Sequence, residues 1–186
     1  MILIALGGNL NSAEFGPPRA VLGQAMARLA AAGVRIVDQA PWYHSAPVPV
    51  SDQPWFVNSV AHIDTALAPA ALLALLHRVE AGLGRQRPEG RRPAGGGAET
   101  GRSERWAARI IDLDLLSYGD RVIGDRTEDG LVLPHPRLAD RAFVLAPLAD
   151  LVVDRVPAWR HPVSRRSARE MLAELGVGQQ IQRMDD

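Results

Sequence analysis

Arg109-Ile110-Ile111-Asp112-Leu113-Asp114-Leu115-Leu116 is the stretch that decides how this chain is read. Side chains of an extended strand alternate between faces, so Ile111, Leu113 and Leu115 share one side while Asp112 and Asp114 share the other. One face is apolar enough for a core, and the other carries two carboxylates. Residues two apart on a strand stand roughly 6.5 to 7 Å from each other, so their carboxylates can converge on two divalent cations about 3.5 to 4 Å apart. Taken alone, the strand is equally compatible with a solvated sheet face on which Arg109 is a surface ion-pair partner.

The flanking segments favour the metal reading. Glu80-Ala81-Gly82-Leu83-Gly84-Arg85-Gln86-Arg87 ends a helical pattern, and Arg105-Trp106-Ala107-Ala108-Arg109 leads straight into the acidic strand. Guanidinium forks bind phosphate oxygens in pairs, and carboxylates bind the magnesium that phosphates carry, so the combination suits a metal-nucleotide substrate.

The run Gly84-Arg85-x-Arg87, then Arg105-Trp106-x-x-Arg109-x-x-Asp112-x-Asp114, resembles the signature of the 6-hydroxymethyl-7,8-dihydropterin pyrophosphokinases of folate biosynthesis. Four further segments are similar to that family in the right order: Leu6-Gly7-Gly8-Asn9-Leu10, Asp52-Gln53-Pro54-Trp55-Phe56-Val57-Asn58, Leu133-Pro134-His135-Pro136-Arg137, and Arg141-Ala142-Phe143-Val144-Leu145-Ala146-Pro147-Leu148. The resemblance implies transfer of diphosphate from ATP to the hydroxymethyl group of the pterin, with release of AMP. It implies two magnesium ions on Asp112 and Asp114, and Arg85, Arg87 and Arg109 on the polyphosphate, with Arg85 and Arg109 as the catalytic charges. His135 and Arg141 match nucleotide contacts. Phe56 and Phe143 match two aromatics that stack on the pterin, Asn58 and Asp112 meet its polar edge, and Ser45 and Val48 fall where a proline-rich loop meets the ring. Three departures stand out. Trp106-Ala107-Ala108-Arg109 replaces the family's Trp-Gly-Pro-Arg, Gly8 replaces its serine, and about 88–104 is a longer, glycine-rich segment, expected to be a flexible inserted loop.

Composition is consistent with a small enzyme. The chain has 186 residues, 47% of them apolar, which is enough for one domain spanning 1–186. There is no cysteine and therefore no disulfide or thiolate metal site. All 21 basic residues are arginine, so a Walker-type phosphate loop and Schiff-base chemistry are excluded for want of lysine. Met1-Ile2-Leu3-Ile4-Ala5-Leu6 lacks the basic start of a signal peptide, and no apolar run reaches the ~18 residues of a membrane span. A cytoplasmic monomer follows as the expectation, with ATP and the hydroxymethyl dihydropterin as small-molecule partners, and with no nucleic acid and no membrane.

Periodicity places strands at Met1–Leu6, Val34–His44, Trp55–Asp64 and Ala107–Tyr118, with helices at Arg19–Ala32, Pro69–Leu83, Phe143–Asp150 and Ser167–Leu175. Four strands with interspersed helices make an α/β (α+β) layered sandwich, and the resemblance implies a ferredoxin-like core, an antiparallel sheet flanked by helices. Two readings from other classes compete: a non-catalytic pterin- or nucleotide-binding paralogue, and an RNA-binding sheet. The zero net charge and the acidic strand face speak against RNA.

Overall fold

The computed structural model describes residues 1–85, 108–124, 130–154, 159–176 and 178–185. The expected insertion at about 88–104, and with it Arg87, Arg105 and Trp106, lies outside the described residues. In chain order the elements are β1 (Ile2–Gly8), α1 (Pro18–Ala31), β2 (Arg35–Gln39), β3 (Tyr43–Ser45), β4 (Phe56–Asp64), α2 (Pro69–Gly82), β5 (Asp112–Tyr118), α3 (Ala142–Asp154), α4 (Ala168–Glu174) and β6 (Ile181–Arg183). The strands form one six-stranded sheet in the order β5-β1-β4-β3-β6, with β2 also on β4. Every pairing is antiparallel. The sequence β1-α1-β2-β4-α2-β5, wound so that β1 lies between β4 and β5, is the split β-α-β arrangement expected of the core.

Alternation along the strands assigns each face its own core. Ile4, Leu6, Val57, Ala61, Ile63, Leu113 and Leu115 pack beneath α1 and α2. Leu3 and Val60 pack against Val144, Leu145 and Leu148 of α3 and Met171 of α4. In α2, buried Leu72, Leu75, Leu76 and Val79 recur at the i, i+3, i+4, i+7 spacing of one helical stripe. Each such side chain contributes roughly 1.5–3 kcal/mol of burial as an upper estimate.

Three expectations need correction. The single strand at Val34–His44 is two strands, because β2 pairs with residues 61–64 of β4 and β3 with residues 56–58, and Pro41 falls between them without a backbone N–H to continue a ladder. The acidic strand begins at Asp112 rather than at Ala107. A short closing strand, β6, was not expected; it extends the sheet beyond β3, making six strands rather than four. Among the described residues no helix is long and apolar enough to cross a membrane.

Candidate active site

The site lies where β1 ends and where β4 and β5 begin, on the face covered by α3. Asn58, Gly7 and Asp112 stand abreast on three adjacent strands, as do Val60, Ala5 and Asp114 one step further along. Neighbouring strands are about 4.8 Å apart, so the small residues Ala5 and Gly7 leave a floor between the polar side chains on either side. A Cβ on Gly7 would come within 3.1 Å of Asn58 Oδ1. Phe56 and Phe143 rise beside this floor, and Ser45, Ala46, Pro47 and Val48 form the outer wall of the cleft.

The buried amide of Asn58 is oriented by Ser45, whose Oγ accepts from Asn58 Nδ2 at 2.9 Å. Ser45 thus orients Asn58 through its hydroxyl. Asn9 joins two margins of the cleft. Its Oδ1 accepts from the Arg109 N–H at 2.8 Å, its own N–H donates to the Arg109 carbonyl at 2.9 Å, and its Nδ2 donates to the Pro54 carbonyl at 3.0 Å. Gly8 makes this approach possible, since a Cβ there would lie 2.5 Å from the Ile110 carbonyl oxygen.

Arg85 is aimed by the end of α2. Gly84, at φ +91°, follows the last turn; its N–H donates to the Ala81 carbonyl and that of Arg85 to the Glu80 carbonyl, the paired bonds of a Schellman motif. The chain is thereby turned so that Arg85 Nη1 reaches Glu80 Oε1 at 2.7 Å, the Ile111 carbonyl at 2.8 Å, and Asp112 Oδ1. Glu80 is completely buried, and its Oε1 also accepts from the Leu113 N–H at 2.8 Å, fixing helix, arginine and acidic strand to one carboxylate. Neither Glu80 nor Asn9 was singled out from the sequence beyond the motifs that contain them.

The two aspartates occupy opposite electrostatic situations. Asp112 takes Arg85 on one oxygen and Arg109 Nη1 on the other, the latter at 2.6 Å. Burial works to raise its carboxyl, but the two guanidiniums outweigh that and hold it below the usual carboxylate range. Among the described residues Asp114 has Arg141 Nη1 at 3.4 Å and His135 Nε2 at 3.9 Å. Burial first, then the charge of Asp112, pushes its carboxyl above the ordinary value. The Nδ1 of His135 accepts from the Arg137 N–H at 3.1 Å, which fixes the proton on Nε2, facing Asp114, and burial lowers the imidazole below its usual pKa. The Arg141 guanidinium lies 5.4 Å from the centre of the Phe143 ring, and its buried Nε has no acceptor among the described residues.

Of the residues selected from sequence, Ser45, Val48, Phe56, Asn58, Arg109, Asp112, Asp114, Arg141 and Phe143 line this one cleft. Arg85 and His135 join it through the two aspartates. Among the described residues no group of three or more His, Asp or Glu could hold a metal unaided.

Residues 3–153 match the family model described as 7,8-dihydro-6-hydroxymethylpterin-pyrophosphokinase. The chain belongs to this pyrophosphokinase family. It is 36% identical over 173 residues to the 2-amino-4-hydroxy-6-hydroxymethyldihydropteridine pyrophosphokinase of Methylorubrum extorquens, covering 92% of this chain and 91% of that one. The enzyme of the same name from Pseudomonas aeruginosa is 38% identical over 162 residues, 86% of each chain. The mitochondrial folate synthesis bifunctional protein of Pisum sativum is 35% identical over 163 residues, 85% of this chain but 27% of the longer protein. As a member of the family, the chain is an ATP-dependent diphosphokinase that transfers pyrophosphate from ATP to hydroxymethyldihydropterin in folate biosynthesis.

Proposed function

We propose that the cleft over Ala5 and Gly7 is where this transfer takes place. The pterin lies between Phe56 and Phe143 with its polar edge on Asn58, and the ATP polyphosphate lies over Asp112 and Asp114. The observation that carries the reading is the row Asn58–Gly7–Asp112, which sets an amide for a heterocycle edge and a carboxylate for a cation on one floor. A flat heterocycle suits two aromatic faces with one amide able to donate and accept.

Magnesium fits the donor set. Asp114 is a half-buried carboxyl made less acidic by burial and by a like charge, its nearest cationic partner among the described residues being Arg141 at 3.4 Å, and hard divalent cations take such oxygens and complete their shell with phosphate and water. Asp112 and Asp114 would hold two ions, which neutralise the triphosphate and favour in-line displacement at its β-phosphorus. The unpartnered Nε of Arg141 offers a further donor to an anion. Arg85 and Arg109, already converged on Asp112, place positive charge beside the phosphates, and Arg87 is proposed to join them. The two aspartates are given to the cations and His135 Nδ1 is occupied, so the reaction relies on orientation and charge rather than on a dedicated base. The hydroxymethyl oxygen bonds to the β-phosphorus and releases its proton to water, the bond from the β-phosphorus to the α,β-bridging oxygen breaks, and AMP leaves with that oxygen. We place the enzyme in the cytoplasm as a monomer, one domain over 1–186.

Steady-state kinetics with each substrate varied tests the assignment. Phe143→Ala should raise KM for the pterin, and Asp114→Asn should abolish AMP formation. Unchanged pterin KM in the first variant, or AMP formed at the parent rate in the second, would place the chemistry elsewhere.

A further inference from the structure

The last strand among the described residues lies beyond residues 3–153 of the family match, yet the segment that leads into it is anchored beside walls of the cleft. Helix α3 begins immediately after Arg141, whose side chain has no oxygen to accept from the free N–H groups of the first turn. Gln179 supplies that acceptor from the far end of the chain. Its Oε1 accepts from the Ala142 N–H at 2.9 Å, and its Nε2 donates to the Asp140 carbonyl at 2.8 Å. One amide therefore grips the backbone on both sides of Arg141, next to Phe143. The following residue holds the opposite wall, where the Ala46 N–H donates to the Gln180 carbonyl at 3.0 Å. Ile181 and Arg183 then pair with Ser45 and Tyr43 of β3. Arg183 also reaches Asp150 of α3 at 3.3 Å.

We propose that the segment 179–183, with Gln179 at its head, is a positioning element that sets the distance between the two pterin-binding walls, Ser45–Val48 and Phe143. The proposal rests on the reading of the cleft given above. A tail that served only to close the sheet edge would need the β3 pairing alone. The side-chain bracket around Arg141 adds nothing to that edge, but it fixes the start of the helix that carries Phe143. Arg85, Glu80 and Asp112 are joined to one another through α2 and β5, whereas Arg141, on the nucleotide side, lies inside the Gln179 bracket.

The test compares Gln179→Ala, Gln179→Glu, Phe143→Ala and the exposed-strand control Gln182→Ala, with KM measured separately for ATP and for the hydroxymethyl dihydropterin. Gln179→Ala should raise pterin KM about five- to tenfold, as expected for loss of two ordinary hydrogen bonds beside Phe143, with a smaller rise in ATP KM through Arg141. Gln179→Glu keeps an acceptor for the Ala142 N–H and loses the donor to Asp140, so its pterin KM should fall between parent and Gln179→Ala. Gln182→Ala should match the parent. A rise of both KM values by the same factor together with a lowered Tm would mean a structural brace only and would overturn the proposal. If Phe143→Ala raises pterin KM and both Gln179 variants leave it unchanged, this inference falls and the cleft assignment stands. If Phe143→Ala leaves it unchanged, both fall.

Discussion

Asparagine at 112 and asparagine at 114 should have opposite effects on stability while both abolish turnover. Asp112 accepts charge-assisted hydrogen bonds from Arg85 and Arg109, with side chains 24% exposed for Asp112 and 17% for Arg85. Such bonds contribute about 1.5–3 kcal/mol each, but the asparagine carbonyl retains one acceptor and Arg85 keeps Glu80 at 2.7 Å, so the net loss for Asp112→Asn is about 1–3 kcal/mol. For a chain of this size that corresponds to a fall in Tm of roughly 2–10 °C. Among the described residues Asp114 has no partner nearer than Arg141 at 3.4 Å, and it suffers the charge of Asp112, so Asp114→Asn should leave Tm unchanged or raise it by up to about 3 °C. Turnover should fall at least about a thousandfold in both, because the lost charge stabilisation is that of the reacting phosphates. Thermal melts at neutral pH in the absence of nucleotide, paired with an AMP-release assay, give both numbers. An Asp114→Asn protein that melts as low as Asp112→Asn, or either variant turning over near the parent rate, would refute this account of the two acids.

Gly84→Ala should cost about 1–2 kcal/mol, since alanine disfavours the left-handed backbone at φ +91°, and should lower kcat by misaiming Arg85; chemical denaturation with kinetics checks both. Tyr43 donates to Asp150 at 2.7 Å, and burial, then that hydrogen bond, pushes its phenol from 10.0 up to about 12. The protonated form is favoured in the folded chain, so this stabilisation is complete below pH 10 and is lost as pH rises toward 12. Tyr43→Phe should therefore be less stable by about 0.5–1.5 kcal/mol at pH 7 yet show a shallower loss between pH 10 and about 12 in denaturant titrations; a parallel pair of curves would contradict it. Phe56→Ala should weaken pterin binding by about 1–3 kcal/mol with little change for ATP, measured by calorimetric titration of each ligand; equal losses would mark Phe56 as a core residue only.

Much of the fold was legible because its main elements satisfy one periodicity each. The Leu72, Leu75, Leu76, Val79 stripe and the alternation around Asp112 leave little choice of helix or strand. Boundaries were harder where tertiary contacts override pattern. Residues 109–111 read as strand, but the Arg109 N–H and carbonyl are taken by Asn9 instead of a ladder neighbour, so the strand starts at Asp112. Helix α3 runs on to Asp154 although Pro147 cannot donate a backbone bond, because its apolar face is committed to the sheet. Strand β6 has three residues and no alternation long enough to notice. Within the site, the charged and aromatic residues carried their chemistry in their types. The parts of Asn9, Glu80 and Gln179 depend on which backbone groups they meet, and that of Gly7 on the Asn58 side chain beside it, which no local pattern encodes.

The measurement that bears most directly on the central claim is a crystal structure of the protein with a non-hydrolysable ATP analogue, hydroxymethylpterin and manganese in place of magnesium, read by anomalous scattering. The account predicts two metal peaks about 3.5–4 Å apart, bound by carboxylate oxygens of Asp112 and Asp114, with the pterin ring between Phe56 and Phe143 and its edge on Asn58. Metal bound away from both aspartates, or a pterin ring outside the cleft over Ala5 and Gly7, would contradict it.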